Sequence, residues 1–260
     1  MSDPVLLVER RDRAAVLTLN RPRKRNALSA ELLDALTAEL ERLVADDTVS
    51  GVVLTGGPSC FSAGADLNEA VDITTVTAFR TFAERAARLN RVIEEHPKPV
   101  LAAVSGPCLT GGLELALACD YRLSSPDATF GITSARIGSV AGFGGTQRLP
   151  RLIGPSRAKE MLFTARIVAA DEAASLGLVD RVMPHDELLA AALALVADIA
   201  KVGPLSVALM KRAVNTGLET DLRSGLELEQ ALSGWAFTTH DKQEGMRAFL
   251  EKRQARFTGR

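Results

Sequence analysis

The stretch Ser105-Gly106-Pro107-Cys108-Leu109-Thr110-Gly111-Gly112-Leu113-Glu114-Leu115-Ala116-Leu117-Ala118 decides how the rest of the chain is read. The run that begins at Val100 is apolar and reads as a buried strand; it ends in glycines that open a helix through Leu115 to Ala118. A buried strand feeding a helix is the building unit of an α/β fold. N–H groups at such a helix start lack intrahelical acceptors and attract negative charge. Glu114 stands one helical turn from them.

Working outward, the same alternation recurs on both sides. Val5 to Val8 and Ala14 to Leu19 read as a strand pair joined by a turn over the charged Glu9 to Arg13. Ser29 is an N-cap for a helix whose Leu32, Leu33, Leu36, Leu40, Leu43 and Val44 recur at helical spacing, with Glu31 at the positive end of the dipole. Gly51 to Thr55 is a buried strand, and Phe79 to Glu95 a second helix stopped at Pro97. The alternation runs to about Gly138; from Gly144 onward the pattern is almost wholly helical, with Asp186 to Lys201, Pro204 to Asn215 and Leu222 to Trp235 as helices and Gly203 and Gly217 as breaks. This predicts an α/β core over residues 1–200 and a helical C-terminal region over 201–260 of the kind that covers a neighbour.

Composition narrows the function. The 260 residues carry 31 Lys+Arg against 32 Asp+Glu, a net charge of −1, which removes the electrostatic footprint of a protein that holds nucleic acid or an anionic membrane. Aromatic residues are only 4%, too few for stacking platforms on single strands. The three cysteines, Cys60, Cys108 and Cys119, show no CxxC spacing, so neither a disulfide framework nor a thiolate metal site is expected and a reducing, cytoplasmic setting fits. Glu9 and Arg10 interrupt the first apolar stretch before a signal sequence develops, and glycines with Pro58 and Pro107 break the long uncharged runs well short of the roughly 20 residues a membrane span needs. Enzymes and small-molecule binders remain.

Several familiar motifs fail. Gly142-Phe143-Gly144-Gly145 has Gln147 where a dinucleotide fingerprint needs its third glycine, and no acidic residue follows at the expected offset. Gly57-Pro58-Ser59-Cys60-Phe61 lacks the second glycine of a nucleophile elbow. His96, His185 and His240 have no metal-ligand spacing and read as surface or capping residues, so no metal is expected.

A second segment, Phe61-Ser62-Ala63-Gly64-Ala65-Asp66-Leu67, follows the Gly51 to Thr55 strand with residues small enough for a ligand to approach the main chain. If the N–H groups of Ala65 and Gly111 point at one spot, they form an oxyanion hole with Glu114 beside it. Taken singly, either segment reads more readily as a turn, with Glu114 as a carboxylate that simply satisfies a helix dipole; it is the pair that points to a site. These two blocks, with Asn20-Arg21-Pro22, Asn26-Ala27-Leu28, Phe130-Gly131, Gly144-Gly145-Thr146-Gln147-Arg148-Leu149 and the run Glu244 to Arg253, resemble the enoyl-CoA hydratase/isomerase (crotonase) family nearly end to end.

The resemblance implies a spiral of repeated β-β-α units, a helical C-terminal region used in trimerisation, and a trimer or a hexamer of two trimers. It places the hole donors on Ala65 and Gly111 and one catalytic glutamate on Glu114. The second acid of family hydratases follows a Phe-Gly-x-Pro block; here that position is Ser134, and Thr133 departs from the proline. The position where related isomerases place an acid is Gly142. For the coenzyme A part of the substrate, the resemblance implies adenine near the backbone of Ala63, Ala65, Asp66 and Leu67, with Phe249 and Lys252 reaching in from a neighbouring subunit. Arg23, with Lys24 and Arg25, is placed to meet phosphates, although Arg21 to Arg25 reads equally as a solvated basic turn and Lys252 equally as part of an exposed terminal helix. No separate cofactor is implied, since coenzyme A belongs to the thioester. The expected reaction is hydration of an enoyl-CoA; double-bond isomerisation or another enolate chemistry such as decarboxylation is the alternative, and a non-catalytic acyl-CoA binder is the reading from a different class.

Overall fold

The computed structural model describes residues 3–260. Strands β1 (Leu6–Arg11) and β2 (Ala14–Leu19) form an antiparallel hairpin in which Leu6 faces Leu19 and Arg11 faces Ala14. The strand continues through Glu9 to Arg11, residues expected in the turn, because β1 is the edge of its sheet and its charges stay in water. Asp12, at φ 50°, makes the turn.

Helix α1 (Ala30–Val44) follows, with Ser29 accepting the Leu32 N–H as its cap. Then come β3 (Gly51–Thr55), the single turn α2 (Leu67–Ala70) and α3 (Val76–Glu95), which is capped by Thr75 and starts three residues before the expected Phe79. The next unit is β4 (Val100–Val104), β5 (Pro107–Leu109) and α4 (Gly111–Ala118); another begins with β6 (Tyr121–Ser124) and β7 (Thr129–Gly131). A 3-10 turn at Ser134–Ile137 leads to α5 (Gly145–Ile153) and α6 (Pro155–Thr164). The region expected to be almost wholly helical contains two short strands, β8 (Val168–Ala169) and β9 (Arg181–Val182), on either side of α7 (Ala170–Ser175). Helices α8 (His185–Ile199), α9 (Pro204–Gly217), α10 (Leu222–Phe237) and α11 (His240–Leu250) complete the chain.

The strands form two sheets, β1-β2-β3-β4-β6-β9 and β5-β7-β8, so each turn of the chain contributes to one and then the other. Isolated bridges pair Ser62 with Cys108 and Leu28 with Ala65, bringing the segments after β2 and β3 to the end of the smaller sheet. From β2 to β6 the large sheet is parallel and covered on both faces, which is why its strands read as unbroken apolar runs. Alternate residues divide between two cores. Leu17, Leu19, Val52, Leu54, Ala102 and Val104 pack in the main core with α1, α3 and α4. Ala14, Val16, Val53, Leu101, Ala103 and Leu123 pack under Leu188, Ala192 and Val196 of α8.

Among the described residues no single helix is long and apolar enough to cross a membrane; α8 and α9 reach the threshold only together, across a bend of 107°.

Candidate active site

The two segments picked out in the sequence meet where the smaller sheet ends. Gly64 lies at φ +104°, and a methyl group in place of its hydrogen would stand 3.1 Å from the Gly111 nitrogen. A methyl on Gly111 would in turn stand 3.1 Å from the Ala65 nitrogen. The bridge partners fix this approach: Leu28 donates to Gly64 O at 2.8 Å, and Asp66 donates to Leu28 O at 3.1 Å. The amides of Gly64, Asp66 and Thr110 are engaged, but among the described residues those of Ala65 and Gly111 donate to no protein acceptor. Two adjacent open N–H groups are the elements of an oxyanion hole.

Thr110, which precedes Gly111, has φ 47° and ψ −114°, a conformation a β-branched residue avoids at a cost of about 1–3 kcal/mol. Its N–H donates to Gly131 O at 2.7 Å, and its hydroxyl lies 2.9 Å from the Thr133 hydroxyl while accepting the Thr133 N–H at 3.2 Å.

Glu114 sits in the first turn of α4, 1% exposed. Its Oε1 accepts the N–H groups of Phe143 and Gly145, each at 2.8 Å, and its Oε2 bonds no other protein group among the described residues. One oxygen is clamped and the other is free to meet a ligand. Burial pushes the carboxyl above its ordinary range; the two amides and the Arg148 guanidinium oppose that without cancelling it. The clamp loop is itself held from α3: Asn90, buried, donates to Phe143 O at 2.7 Å, and Arg148, paired with Glu94, donates to the same oxygen at 3.2 Å. Gly145 has no room for a side chain, since a methyl there would stand 2.5 Å from Ile132 Cδ1 and 3.0 Å from Glu114 Cγ.

A family model described as enoyl-CoA hydratase/isomerase matches residues 9–260. The chain belongs to this family. It is 42% identical to crotonyl-CoA hydratase of Syntrophomonas wolfei over 97% of both chains, and 39% identical to short-chain-enoyl-CoA hydratase of Clostridium acetobutylicum over 96% of this chain and 95% of that one. The crystal structure of an enoyl-CoA hydratase from Bacillus anthracis superposes with a TM-score of 0.94 at 38% identity, covering 98% of this chain and all of that one. The fold is therefore the crotonase fold, and the protein is an acyl-CoA enzyme of the crotonase family.

Against that family's pattern, the second carboxylate has no counterpart at either expected place. Ser134 is a buried residue at the start of the 3-10 turn, and Gly142 lies so close to Phe79 that a methyl would stand 2.8 Å from the ring. Of the residues linked to coenzyme A, Ala63 and Asp66 have their N–H groups committed to Arg25 O and Leu28 O. The Asp66 side chain is largely structural: it caps α2 and pairs with Arg21 at 2.9 Å. Burial would raise its pKa, but the hydrogen bonds from Asn68 and Arg21 prevail and lower it. Leu67 is exposed, and Arg23 is exposed on a 3-10 turn at Pro22–Lys24. Phe249 and Lys252 are exposed, the one in the last turn of α11 and the other just past it. His96, expected at a surface or cap, is the C-cap of α3 and buried. Among the described residues there is no group of three or more His, Cys, Asp or Glu arranged to hold a metal.

Sequence reasoning picked Glu114 but missed what holds it, the amides of Phe143 and Gly145 and the side chain of Asn90. The sequence signal for them is the dense glycine pattern Gly142-Phe143-Gly144-Gly145, whose small residues leave main-chain amides open to a carboxylate.

Proposed function

We propose that the protein adds water across the double bond of a trans-2-enoyl-CoA, with Glu114 making both proton transfers. The clamped carboxylate of Glu114, with one free oxygen beside two open amides, carries this reading. Glu114 Oε2 takes a proton from water as its oxygen bonds to C3. The electron pair of the C2–C3 double bond moves to the thioester carbonyl, whose oxygen becomes an enolate oxygen facing the N–H groups of Ala65 and Gly111. The enolate then collapses, and C2 takes the proton back from Glu114. A raised carboxyl pKa suits a group that must both accept and return a proton near neutrality. Ser134 holds the water and does not titrate.

The carbonyls of Ala63 and Ala65 accept no hydrogen bond from the described backbone, which supports their use by the exocyclic amine of adenine, while Arg23 meets phosphate. The names of the relatives favour hydration. The absence of a carboxylate at both Ser134 and Gly142 favours a second reading, transfer of a proton between C2 and C4, which needs one base. Exposed Phe249, Leu250, Trp235, Leu222 and Leu218 on the C-terminal helices support self-association as a trimer or hexamer.

Steady-state assays with crotonyl-CoA and with a 3-enoyl-CoA, beside calorimetry with butyryl-CoA, test the proposal. Hydration of crotonyl-CoA as the faster reaction supports it. Isomerisation without hydration selects the second reading, and tight binding with no turnover makes the protein an acyl-CoA binder.

A further inference from the structure

An N-cap threonine ordinarily turns its hydroxyl to the open N–H groups of its own helix. Thr110, the N-cap of α4, does not: it makes no side-chain cap, and its hydroxyl is given to Thr133 instead. The direction of the Gly111 N–H is set by ψ of Thr110, because both belong to one peptide plane. At ψ −114° that plane sits where a threonine rests only if something else holds it. Three bonds to the end of β7 do so: Thr110 N–H to Gly131 O, Thr133 N–H to Thr110 Oγ1, and the hydroxyl–hydroxyl contact.

We infer that Thr110 and Thr133 are a matched pair of positioning residues, which aims the Gly111 amide and leaves the first turn of α4 uncapped for an anionic oxygen. A proline at 133, as in the block this chain departs from, could supply neither the N–H nor the hydroxyl. The departure at 133 and the strained threonine at 110 therefore explain each other. The pair also ties the segment that begins with Ser134 to the hole, so one contact registers both sides of the site.

This inference rests on the oxyanion-hole reading above, and its test separates the two. Thr133→Val keeps the N–H and the shape and loses the hydroxyl. It should displace the Gly111 amide resonance in a 1H–15N spectrum and lower kcat for crotonyl-CoA about 10-fold, part of the roughly 10²- to 10³-fold that follows outright loss of a hole donor. KM should stay within about two-fold. Thr110→Ser, which keeps the hydroxyl, should retain kcat, and Thr110→Ala should lose it. Thr110→Ala/Thr133→Val should be no slower than the worse single variant, because the two act as a unit. An unmoved Gly111 resonance in folded Thr133→Val, or additive losses in the double variant, overturns the pair. Should Thr133→Val not fold, Thr110→Ala against Thr110→Ser decides by the kcat-to-KM split, and equal kcat in both overturns it. A native protein without acyl-CoA turnover overturns the functional reading alone, and the Gly111 resonance still judges the pair.

Discussion

Replacing Glu114 by glutamine keeps the shape and removes the charge. The side-chain carbonyl of glutamine can accept the Phe143 and Gly145 amides that now reach Oε1 at 2.8 Å, so the clamp loop keeps its anchor. Those two bonds weaken from charge-assisted, about 1.5–3 kcal/mol each, to neutral, about 0.5–1.5, a loss of roughly 2–3 kcal/mol for the pair. Burial works the other way, and the raised pKa of Glu114 states that it wins over the hydrogen bonds. Because the folded pKa lies above the unfolded one, the native state holds the extra proton between them, and native stability falls as pH rises through that window. Glu114→Gln should therefore melt higher than the native protein above the folded pKa, with the difference closing as pH falls below the unfolded carboxylate value. Turnover should drop about 10²- to 10⁴-fold, equivalent to about 3–5 kcal/mol of barrier. Thermal unfolding from pH 4 to 8 and steady-state kinetics on acyl-CoA substrates measure both. A folded Glu114→Gln variant with native kcat refutes the assignment, and a stability difference that does not vary with pH refutes the account of its pKa.

Ser134→Glu should lower crotonyl-CoA hydration and move the acid limb of kcat/KM to higher pH, because a second buried carboxylate displaces the held water and repels Glu114; a gain in rate identifies a two-acid mechanism that the native chain lacks. Gly145→Ala drives a methyl to 2.5 Å from Ile132 Cδ1, and kcat should fall about 10²-fold with a stability loss of about 1–3 kcal/mol, read by kinetics and calorimetry. Asn90→Leu leaves Phe143 O with Arg148 alone and should cost about 1–3 kcal/mol while lowering kcat more than it raises KM, as chemical denaturation and kinetics will show. His96, whose buried neutral ring accepts the Lys98 N–H at Nδ1 and donates from Nε2 to Leu40 O, has its pKa lowered chiefly by burial, so stability should be lost as pH falls below the unfolded histidine value of about 6.5; a His96→Gln variant should flatten that slope in acid titration melts.

What the sequence made legible tracks the range of the interactions involved. Helix α1 was readable because its determinants are local: Ser29 caps within three residues, and the leucines share one face. The smaller sheet was not, because β5, β7 and β8 are two or three residues long and carry no period to detect. β8 and β9 hid inside a helical pattern for the same reason, and β1 ran past its expected end because an edge strand tolerates the charges that a buried one would reject. Ala65, Gly111 and Glu114 stand out in the sequence through small residues and a family pattern. The clamp on Glu114 spans 29 and 31 residues and is made by backbone amides, which have no residue-type signature.

The site is consequently a main-chain device with one titrating side chain. Ala65 and Gly111 leave their amides without a protein acceptor among the described residues, Phe143 and Gly145 give theirs to Glu114, and the side chains around them, Thr110, Thr133, Asn90 and Arg148, act on the backbone. On the oxyanion-hole reading, such a scaffold stabilises an enolate whichever proton movement generates it. The choice of reaction then falls to what stands opposite the free oxygen of Glu114; on the reading proposed above, Ser134 would hold a water there without competing for its proton. A lone carboxylate with a raised pKa, fixed through one oxygen, can serve as base in one half of the reaction and as acid in the other. On the reading proposed above, the absence of a carboxylate at Ser134 and Gly142 therefore alters the division of labour between acid and base without removing the means to carry out hydration.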